Sequence, residues 1–229
     1  EAVIDAGETR AALCVLASGS RGNCSILAYQ APGQPPRTAL IDAGLSPRRT
    51  RRLLASVGRD LDQIDDLLVT HLDRDHFHGG WAAGLPGRLR IHLHRRHFSR
   101  AERLGLHRAK PRVMEADGFA LRGGLMVRPY AADHDTLGVV AFRLEGSGVS
   151  IGFATDLGRV SHGLIEHLRG VDLLSIESNY CPRMQAASDR PDFLKRRITG
   201  GAGHLSNAQC AHAAAAIAPT QHVVLLHLS

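Results

Sequence analysis

The sequence predicts an α/β fold, and two observations support this. Apolar runs of strand length, such as residues 11–17 and 171–176, alternate along the chain with segments of helical pattern, such as residues 47–56 and 208–218. Such alternation is typical of folds that pack helices against a sheet. In addition, several predicted strands end directly in His or Asp side chains. Open α/β layers bind ligands beyond the carboxyl ends of their strands, so the pattern also predicts where function lies.

The predicted elements follow from apolar runs and from the residues that break them. A turn of small residues at 18–23 joins the first two strands into a hairpin, another hairpin turns at residues 145–148, and Pro219 ends the last helix. Strands are predicted at residues 11–17, 24–29, 38–44, 64–70, 90–94, 125–130, 139–144, 149–154, 171–176 and 222–226, and helices at residues 47–56, 77–84, 188–199 and 208–218. Residues 1–10 are expected to be a loose N-terminal segment of a single domain that spans residues 1–229.

The charge balance favours an anionic partner. The net charge is +6 and the pI about 9.7, and Lys occurs only at Lys110 and Lys195, so nearly every cation is an arginine. Arginine forks onto phosphate in a bidentate manner, which predicts an anionic substrate; a genomic bias toward arginine is the alternative explanation. The sequence lacks a run of apolar residues long enough to cross a bilayer, so no membrane partner is expected. Four cysteines without Cys-x-x-Cys spacing predict reduced thiols and a cytoplasmic location.

The densest group of potential metal ligands directly follows a predicted buried strand. His71, Asp73, Asp75 and His76 lie within six positions of one another. Imidazole and carboxylate groups at this density suit Zn²⁺ or a harder cation such as Mn²⁺ or Fe. A polar loop that happens to be rich in His and Asp is the alternative interpretation.

Further ligand candidates occur at the ends of later strands. His134, Asp156 and His227 each follow a predicted strand within a few positions. Four strand ends that carry metal ligands predict a shared metal site, which none of them would predict alone. In contrast, His92 and His94 share one strand face with no carboxylate beside them, and both are expected to face solvent.

The segment from His71 to His76 resembles the His-x-His-x-Asp-His signature of the metallo-β-lactamase superfamily, with Asp73 in place of the second histidine. Four further motifs are similar to those of the YycJ/WalJ-type group of that superfamily: Ser18-Gly19-Ser20-x-Gly22-Asn23, Glu177-Ser178-Asn179, Gly203-His204-Leu205-Ser206-Asn207 and Leu226-His227-Leu228-Ser229. The resemblance covers nearly the whole chain. It implies a four-layer αββα sandwich of two mixed sheets flanked by helices, and nuclease-like phosphodiesterase activity as a 5′-exonuclease on DNA.

The resemblance also implies two divalent metal ions. The implied ligands are His71, Asp73 and His134 for the first ion, Asp75, His76 and His227 for the second, and Asp156 as a bridge between them. A carboxylate at position 73 is harder than imidazole and adds negative charge. It therefore favours Mn²⁺ or Fe over Zn²⁺ at the first position, and weak occupancy of that position is expected.

By the same resemblance, the expected reaction is hydrolysis by a metal-activated water. Two cations about 3.5–4 Å apart would lower the pKa of the water, and the resulting hydroxide would attack phosphorus. Asp75 is expected to orient this nucleophile, and His204 to protonate the leaving group or to clamp a phosphate oxygen. Ser20, Arg21 and Asn179 are expected to line the substrate cleft, with a nucleic acid as the expected partner.

Two other classes of function remain open. One is another hydrolase on this fold, such as a thioesterase or a lactamase, because nothing in the residues excludes a small ester substrate. The other is a non-catalytic nucleic-acid-binding protein with a degenerate metal site. Asp73 favours this last class, and the other six candidate ligands argue against it.

Overall fold

Two mixed β-sheets and six α-helices, counted over the residues that the structure describes, confirm the predicted α/β class. The structure is a computed structural model that describes residues 1–6, 9–146 and 148–228. The strands are β1 (Ala2–Ala6), β2 (Thr9–Ala17), β3 (Cys24–Gln30), β4 (Arg37–Ile41), β5 (Asp66–Val69), β6 (Arg90–Leu93), β7 (Arg112–Val113), β8 (Phe119–Ala120), β9 (Met126–Ala132), β10 (Val139–Gly146), β11 (Val149–Ala154), β12 (Leu173–Glu177) and β13 (His222–Leu226). The helices are α1 (Pro47–Ser56), α2 (Phe98–Arg103), α3 (His162–Leu168), α4 (Pro182–Ala187), α5 (Asp192–Thr199) and α6 (Asn207–Ile217).

The first of two compact units comprises Glu1–Pro129 and Glu145–Val149. Its seven-stranded sheet has the order β1-β2-β3-β4-β5-β6-β7, with antiparallel pairing up to β4 and parallel pairing beyond it. The strands β4 and β5 are almost wholly buried, as expected of parallel strands that are covered on both faces. Because they run parallel, their carboxyl ends open at the same edge of the sheet, directly before Asp42 and Thr70.

Large aromatic side chains anchor the segment that follows the candidate ligands in the first unit. Phe77 and Trp81 are buried in the core of this unit, and the Trp81 indole donates a hydrogen bond to the Leu45 carbonyl at 2.8 Å. The helix α1 begins where Ser46 caps it, with its hydroxyl accepting from the backbone N–H of Arg49. The segment that follows the candidate ligands is therefore anchored in a packed core.

The second unit comprises Tyr130–Leu144 and Ser150–Ser229. Six described strands form a sheet with the order β13-β12-β11-β10-β9-β8. The strands β11, β12 and β13 of this sheet run parallel, and β12 and β13 lie wholly in the second unit. The strand β12 is buried throughout. The helix α6 begins at a capping box in which Ser206 and Gln209 satisfy each other's backbone N–H groups, and its buried face packs into the core of this unit.

Some boundaries differ from those predicted. The expectation of a loose segment at residues 1–10 is wrong for residues 2–6, which form β1 and pair antiparallel with β2; Gly7 and Glu8 lie outside the described residues. The helix predicted at residues 77–84 is a shorter 3₁₀ helix, Gly79–Ala83. The hairpin turn predicted at residues 145–148 includes Ser147, which also lies outside the described residues.

In the described part of the chain, no helix has the length and apolar character needed to cross a bilayer. The sequence predicts a single domain over residues 1–229. The structure divides the chain into two compact units, and whether they form one domain stays a prediction.

Candidate functional site

The ligand segment of the first unit turns sharply after β5. The backbone N–H groups of His76 and Phe77 both donate to the Asp73 carbonyl, at 2.8 and 2.7 Å. The turn brings the ring centroids of His71 and His76 to 4.1 Å, and both side chains are buried. The imidazoles of His71 and His76, five positions apart in the sequence, therefore lie next to each other just beyond the parallel strand β5.

Asp42 orients His76. It directly follows β4 in the left-handed conformation, with φ 62°, and its carboxylate accepts hydrogen bonds from the Thr70 backbone N–H and hydroxyl, each at 2.8 Å. His76 Nδ1 lies 2.7 Å from the same carboxylate. A carboxylate at Nδ1 selects the tautomer that presents the Nε2 lone pair to a ligand. Burial raises the pKa of Asp42 despite these opposing hydrogen bonds.

The loop of small residues before β3, residues 18–23, is hydrogen-bonded to the ligand segment. The Asn23 backbone N–H donates to the Asp75 carbonyl at 2.7 Å, and the Asn23 side-chain Nδ2 lies 2.8 Å from His76 Nε2. The Gly19 N–H donates to Asn23 Oδ1 at 2.8 Å, which sets the orientation of the amide. A Cβ on Gly44 would lie 1.7 Å from the Asp75 carbonyl oxygen, so this close approach of two backbones requires glycine.

The two carboxylates of the ligand segment have different neighbours. Both side chains are 25% exposed. Asp75 Oδ2 lies 3.8 Å from His76 Nε2, so this carboxylate oxygen is close enough to the histidine to bind the same metal ion. Asp73 Oδ1 instead forms an ion pair with Arg100 Nη1 at 2.6 Å. Because a guanidinium competes with a cation for this carboxylate, the ion pair is a physical reason to expect weak metal binding at Asp73.

In the second unit, the predicted ligands converge on Asp156. Asp156 and His227 each follow a parallel strand in the left-handed conformation, with φ 52° and 51°. His227 Nδ1 and the Thr155 hydroxyl both hydrogen-bond Asp156 Oδ1. His134 Nε2 lies 4.0 Å from Asp156 Oδ2, while His134 Nδ1 donates to the Gly203 carbonyl at 3.0 Å. The carbonyl therefore fixes the tautomer that turns a lone pair of His134 toward Asp156.

Glu177, the last residue of β12, holds His204 in place. Its buried Oε1 lies 2.6 Å from His204 Nδ1, and its Oε2 accepts from the Leu157 backbone N–H at 2.7 Å. The centroids of the His204 and His227 rings lie 4.9 Å apart, and the ring planes are inclined at 62°. Burial raises the pKa of Glu177, against the hydrogen bond from His204. The sequence predicted a role for His204 but none for Glu177, although this glutamate also ends an apolar strand.

In the second unit, one group of side chains has the donor atoms and spacing that a divalent cation needs. In the second unit, one ligand atom from each of four side chains lies within 4.8 Å of the others; the four are Asp156, Glu177, His204 and His227. Imidazole nitrogen and carboxylate oxygen are the donors that Zn²⁺, Mn²⁺ and Fe accept. In the first unit, His76 Nε2 accepts the Asn23 amide hydrogen, and a cation bound at this nitrogen would take over that lone pair.

The structure divides the predicted site residues between the two units. The first unit contains Ser20, Arg21, His71, Asp73, Asp75 and His76, and the second contains His134, Asp156, Asn179, His204 and His227. Asn179 is buried and donates from Nδ2 to the His227 carbonyl at 2.9 Å, so it supports a strand end; its contact with substrate stays a prediction.

Three supporting residues carried no role in the sequence prediction: Asp42, Arg100 and Glu177. Asp42 and Glu177 have a sequence signal, because each ends an apolar run. Arg100 has none, because it comes from a helix far along the chain.

A cleft of about 430 Å³ opens beside the ligand segment within the first unit. Ser20, Arg21 and Asp75 line it, together with His78. Two of the three residues predicted to contact substrate therefore share a cavity with a predicted metal ligand, and their contact with substrate stays a prediction.

Comparison with known proteins gives consistent matches over most of the chain. Residues 37–228 match a family model described as a beta-lactamase superfamily domain. The exodeoxyribonuclease YycJ of Bacillus anthracis is 26% identical over 219 residues, which cover 94% of this chain and 81% of that protein. The exodeoxyribonuclease WalJ of Streptococcus pneumoniae serotype 2 is 27% identical over 203 residues, 87% of this chain and 74% of that protein. Among solved structures, the metallo-β-lactamase fold protein YhfI of Bacillus subtilis is similar with a TM-score of 0.67 and 16% identity, over 94% of this chain and 85% of that chain.

Proposed function

The chain belongs to the beta-lactamase superfamily, and from this premise we propose that it is a metal-dependent phosphodiesterase that degrades DNA as an exonuclease. The fold and the resemblance predicted from the sequence are confirmed, and the chain is a hydrolase of the metallo-β-lactamase fold. The observation that carries the proposal is a repeated arrangement at strand ends. In each unit a buried carboxylate holds a histidine by Nδ1, with Asp42 on His76 and Glu177 on His204.

DNA is the substrate that the relatives and the charge favour. Two relatives that match most of the chain are named exodeoxyribonucleases. The net charge of +6 favours a polyanion over a neutral lactam or ester. The proposed substrate is therefore a nucleic acid, and the proposed location is the cytoplasm. We also propose that the enzyme degrades DNA from the 5′ end.

We retain the seven predicted ligands as the proposed metal ligands. They are His71, Asp73, Asp75, His76, His134, Asp156 and His227. When bound, divalent cations such as Zn²⁺, Mn²⁺ or Fe lower the pKa of water and neutralise the charge that develops on phosphate oxygens. The Asp73–Arg100 ion pair favours weaker binding of the ion that Asp73 would hold.

The side chains of the protein supply proton transfer and orientation. His204 donates Nδ1–H to Glu177, so its Nε2 is the atom that holds the proton for the leaving oxygen. The buried Glu177 carboxylate stabilises the imidazolium form of His204 in that role. Asp75 lines the cleft beside His76, where its carboxylate can orient the attacking water.

Parallel assays on three substrates test the proposal. Protein supplied with Mn²⁺ or Zn²⁺ is incubated with end-labelled DNA, bis-p-nitrophenyl phosphate or nitrocefin. We expect the first two to be hydrolysed and nitrocefin to remain intact; turnover of nitrocefin alone would refute the proposal. Asp156→Ala is expected to lose metal content and DNA cleavage together, while the exposed Asp117→Ala keeps both. Unchanged activity in Asp156→Ala would contradict its assignment as a ligand.

The Asp73–Arg100 ion pair favours a second candidate, a nucleic-acid-binding protein with an incomplete metal site. Elemental analysis of protein purified without added metal decides between the two. The second candidate requires DNA retention without cleavage and without bound metal. Under the first candidate, Asp73→His is expected to raise Zn²⁺ content, because imidazole replaces a carboxylate that a guanidinium already neutralises.

A further inference from the structure

Three arginines of the first unit line one cleft without partners of their own. Arg21, Arg49 and Arg74 are exposed on the wall of the cleft of about 430 Å³. In the described part of the chain, none of their guanidinium groups makes an ion pair or a hydrogen bond. Elsewhere in this unit, Arg88 and Arg100 each pair with a carboxylate, at 2.7 and 2.6 Å. The cleft arginines are therefore available to an external anion.

The charge of the cleft matches a phosphate monoester. Asp75 is the acidic side chain among its lining residues, so three guanidinium groups against one carboxylate leave a net charge of about +2. Like charges held around one cavity repel each other, and a bound anion relieves this repulsion. A phosphate monoester carries about −1.5 to −2 at pH 7, whereas a phosphodiester carries a single charge. Ser20 and Ser46 add hydroxyl groups that can donate to phosphate oxygens.

The size of the cleft also favours a phosphate at the end of a DNA strand over phosphates within the strand. A volume of about 430 Å³ lies in the range of small-ligand pockets, about 300–1,000 Å³. Arginines that converge on one such cavity suit a single chain end, whereas internal phosphates need cations spread along a groove. Guanidinium groups bind phosphate through two parallel N–H···O bonds, which adds geometric selection to charge.

We propose that this cleft binds the 5′-terminal phosphate of the DNA strand through Arg21, Arg49 and Arg74. The proposal rests on the proposed function, because Asp75 belongs both to the cleft and to the predicted metal ligands. Binding of the end phosphate there places the neighbouring phosphodiester close to Asp75. The cleft thus selects 5′-phosphorylated ends and determines the end from which the strand is degraded.

Two DNA oligonucleotides that differ only in a 5′-phosphate or a 5′-hydroxyl test the proposal. Both carry a phosphorothioate at the first linkage, and their affinities are measured by fluorescence anisotropy, so that binding is read without cleavage. We expect wild-type protein to prefer the 5′-phosphate by about 10-fold or more, the value of one charge-assisted hydrogen bond. Arg49→Gln and Arg74→Gln should each reduce this preference, and the double variant should abolish it.

The control is Arg51→Gln, which removes the same charge from the exposed surface of α1 outside the cleft. It should leave the preference within about 2-fold of wild type. Equal affinity for both ends in wild-type protein overturns the proposal, as does a preference that survives in the double variant. An equal loss of affinity for both oligonucleotides would assign the arginines to internal phosphates and would also overturn it. A 5′-phosphate preference that the double variant loses, in a protein that cleaves no DNA, supports the cleft and refutes the nuclease.

Discussion

Replacing Asp42 by Asn tests whether a buried carboxylate sets the tautomer of His76. Asn is nearly isosteric and tolerates the left-handed φ of 62° at this position, so the backbone is expected to stay in place. The native carboxylate accepts hydrogen bonds from the Thr70 N–H, the Thr70 hydroxyl and His76 Nδ1. An amide has one oxygen and one NH₂ group, so it cannot accept from all three donors.

The expected magnitude follows from these contacts. If the amide oxygen keeps the Thr70 N–H, the NH₂ group faces His76 Nδ1 and drives the ring proton to Nε2. Nε2–H then offers no lone pair to a cation and also faces the Asn23 amide, 2.8 Å away, donor against donor. Loss of such a supporting partner typically lowers metal affinity by about 10–100-fold. A buried donor left unsatisfied costs about 1–3 kcal/mol of unfolding free energy.

Metal affinity is measured by competition with a chromophoric chelator, and stability by urea titration of the metal-free protein. The control is Asp62→Asn, an exposed position in the same unit, which should change neither quantity. Metal affinity within 2-fold of wild type in Asp42→Asn would refute the tautomer argument, provided that Asp156→Ala loses metal. A loss of stability alone would reduce Asp42 to a structural role.

Three further substitutions test the packing, the second carboxylate and the pH dependence. Gly44→Ala puts a methyl group 1.7 Å from a carbonyl oxygen and should cost about 1–3 kcal/mol in urea titration, while Gly79→Ala, with no atom within 4 Å, should change little. Glu177→Gln must turn an NH₂ group toward either a backbone N–H or the His204 ring; we expect DNA cleavage to fall about 10–100-fold, and unchanged rates would contradict this role. Burial raises the pKa of Asp66, but hydrogen bonds outweigh it and hold that pKa at about 2, below the ordinary 3.8. Its stabilisation is therefore present above pH 3.8 and lost as the pH falls toward about 2, where wild type should lose about 2 kcal/mol more than Asp66→Asn in acid titration.

The sequence predicted the positions of the candidate ligands because the rule that predicts them is local. An apolar run marks a strand, and a polar residue directly after it lies at the sheet edge where sites occur. His71, Asp156 and His227 follow this rule within two positions of a strand, and the structure shows each of them buried. His76 lies seven positions after β5, and a turn brings its buried ring to 4.1 Å from that of His71. The metal ions that they would hold stay a proposal, because the rule identifies positions and not occupants.

His92 shows where local reasoning fails. It was expected to face solvent, but it is 3% exposed and its Nε2 lies 2.8 Å from Asp66 Oδ1. Asp66 lies on the neighbouring strand β5, where it is registered opposite Arg90, so His92 is its diagonal neighbour on the same face. Strand register depends on pairing between distant segments, and neither segment alone reveals it. The ion pair of Arg100 with Asp73 was not predicted for the same reason, because the two residues come from different segments of the chain.

Described non-glycine residues with positive φ values occur in more than one structural setting, and Asp135 is one that neither ends a helix nor is a candidate ligand. Lys110 and Ala218 have positive φ values, and both end helices, where that conformation is common. Asp42, Asp156 and His227 also have positive φ values, yet none of them ends a helix. Asp42 and His227 directly follow a parallel strand, and Asp156 follows one after a single intervening residue. A non-glycine residue in this conformation costs about 1–3 kcal/mol. Glycine would remove that cost at all three positions, and a carboxylate or imidazole stands there instead. These positions therefore require a particular polar side chain, and not merely a backbone that can adopt a positive φ. Such a requirement is expected of a metal ligand or of a residue that orients one.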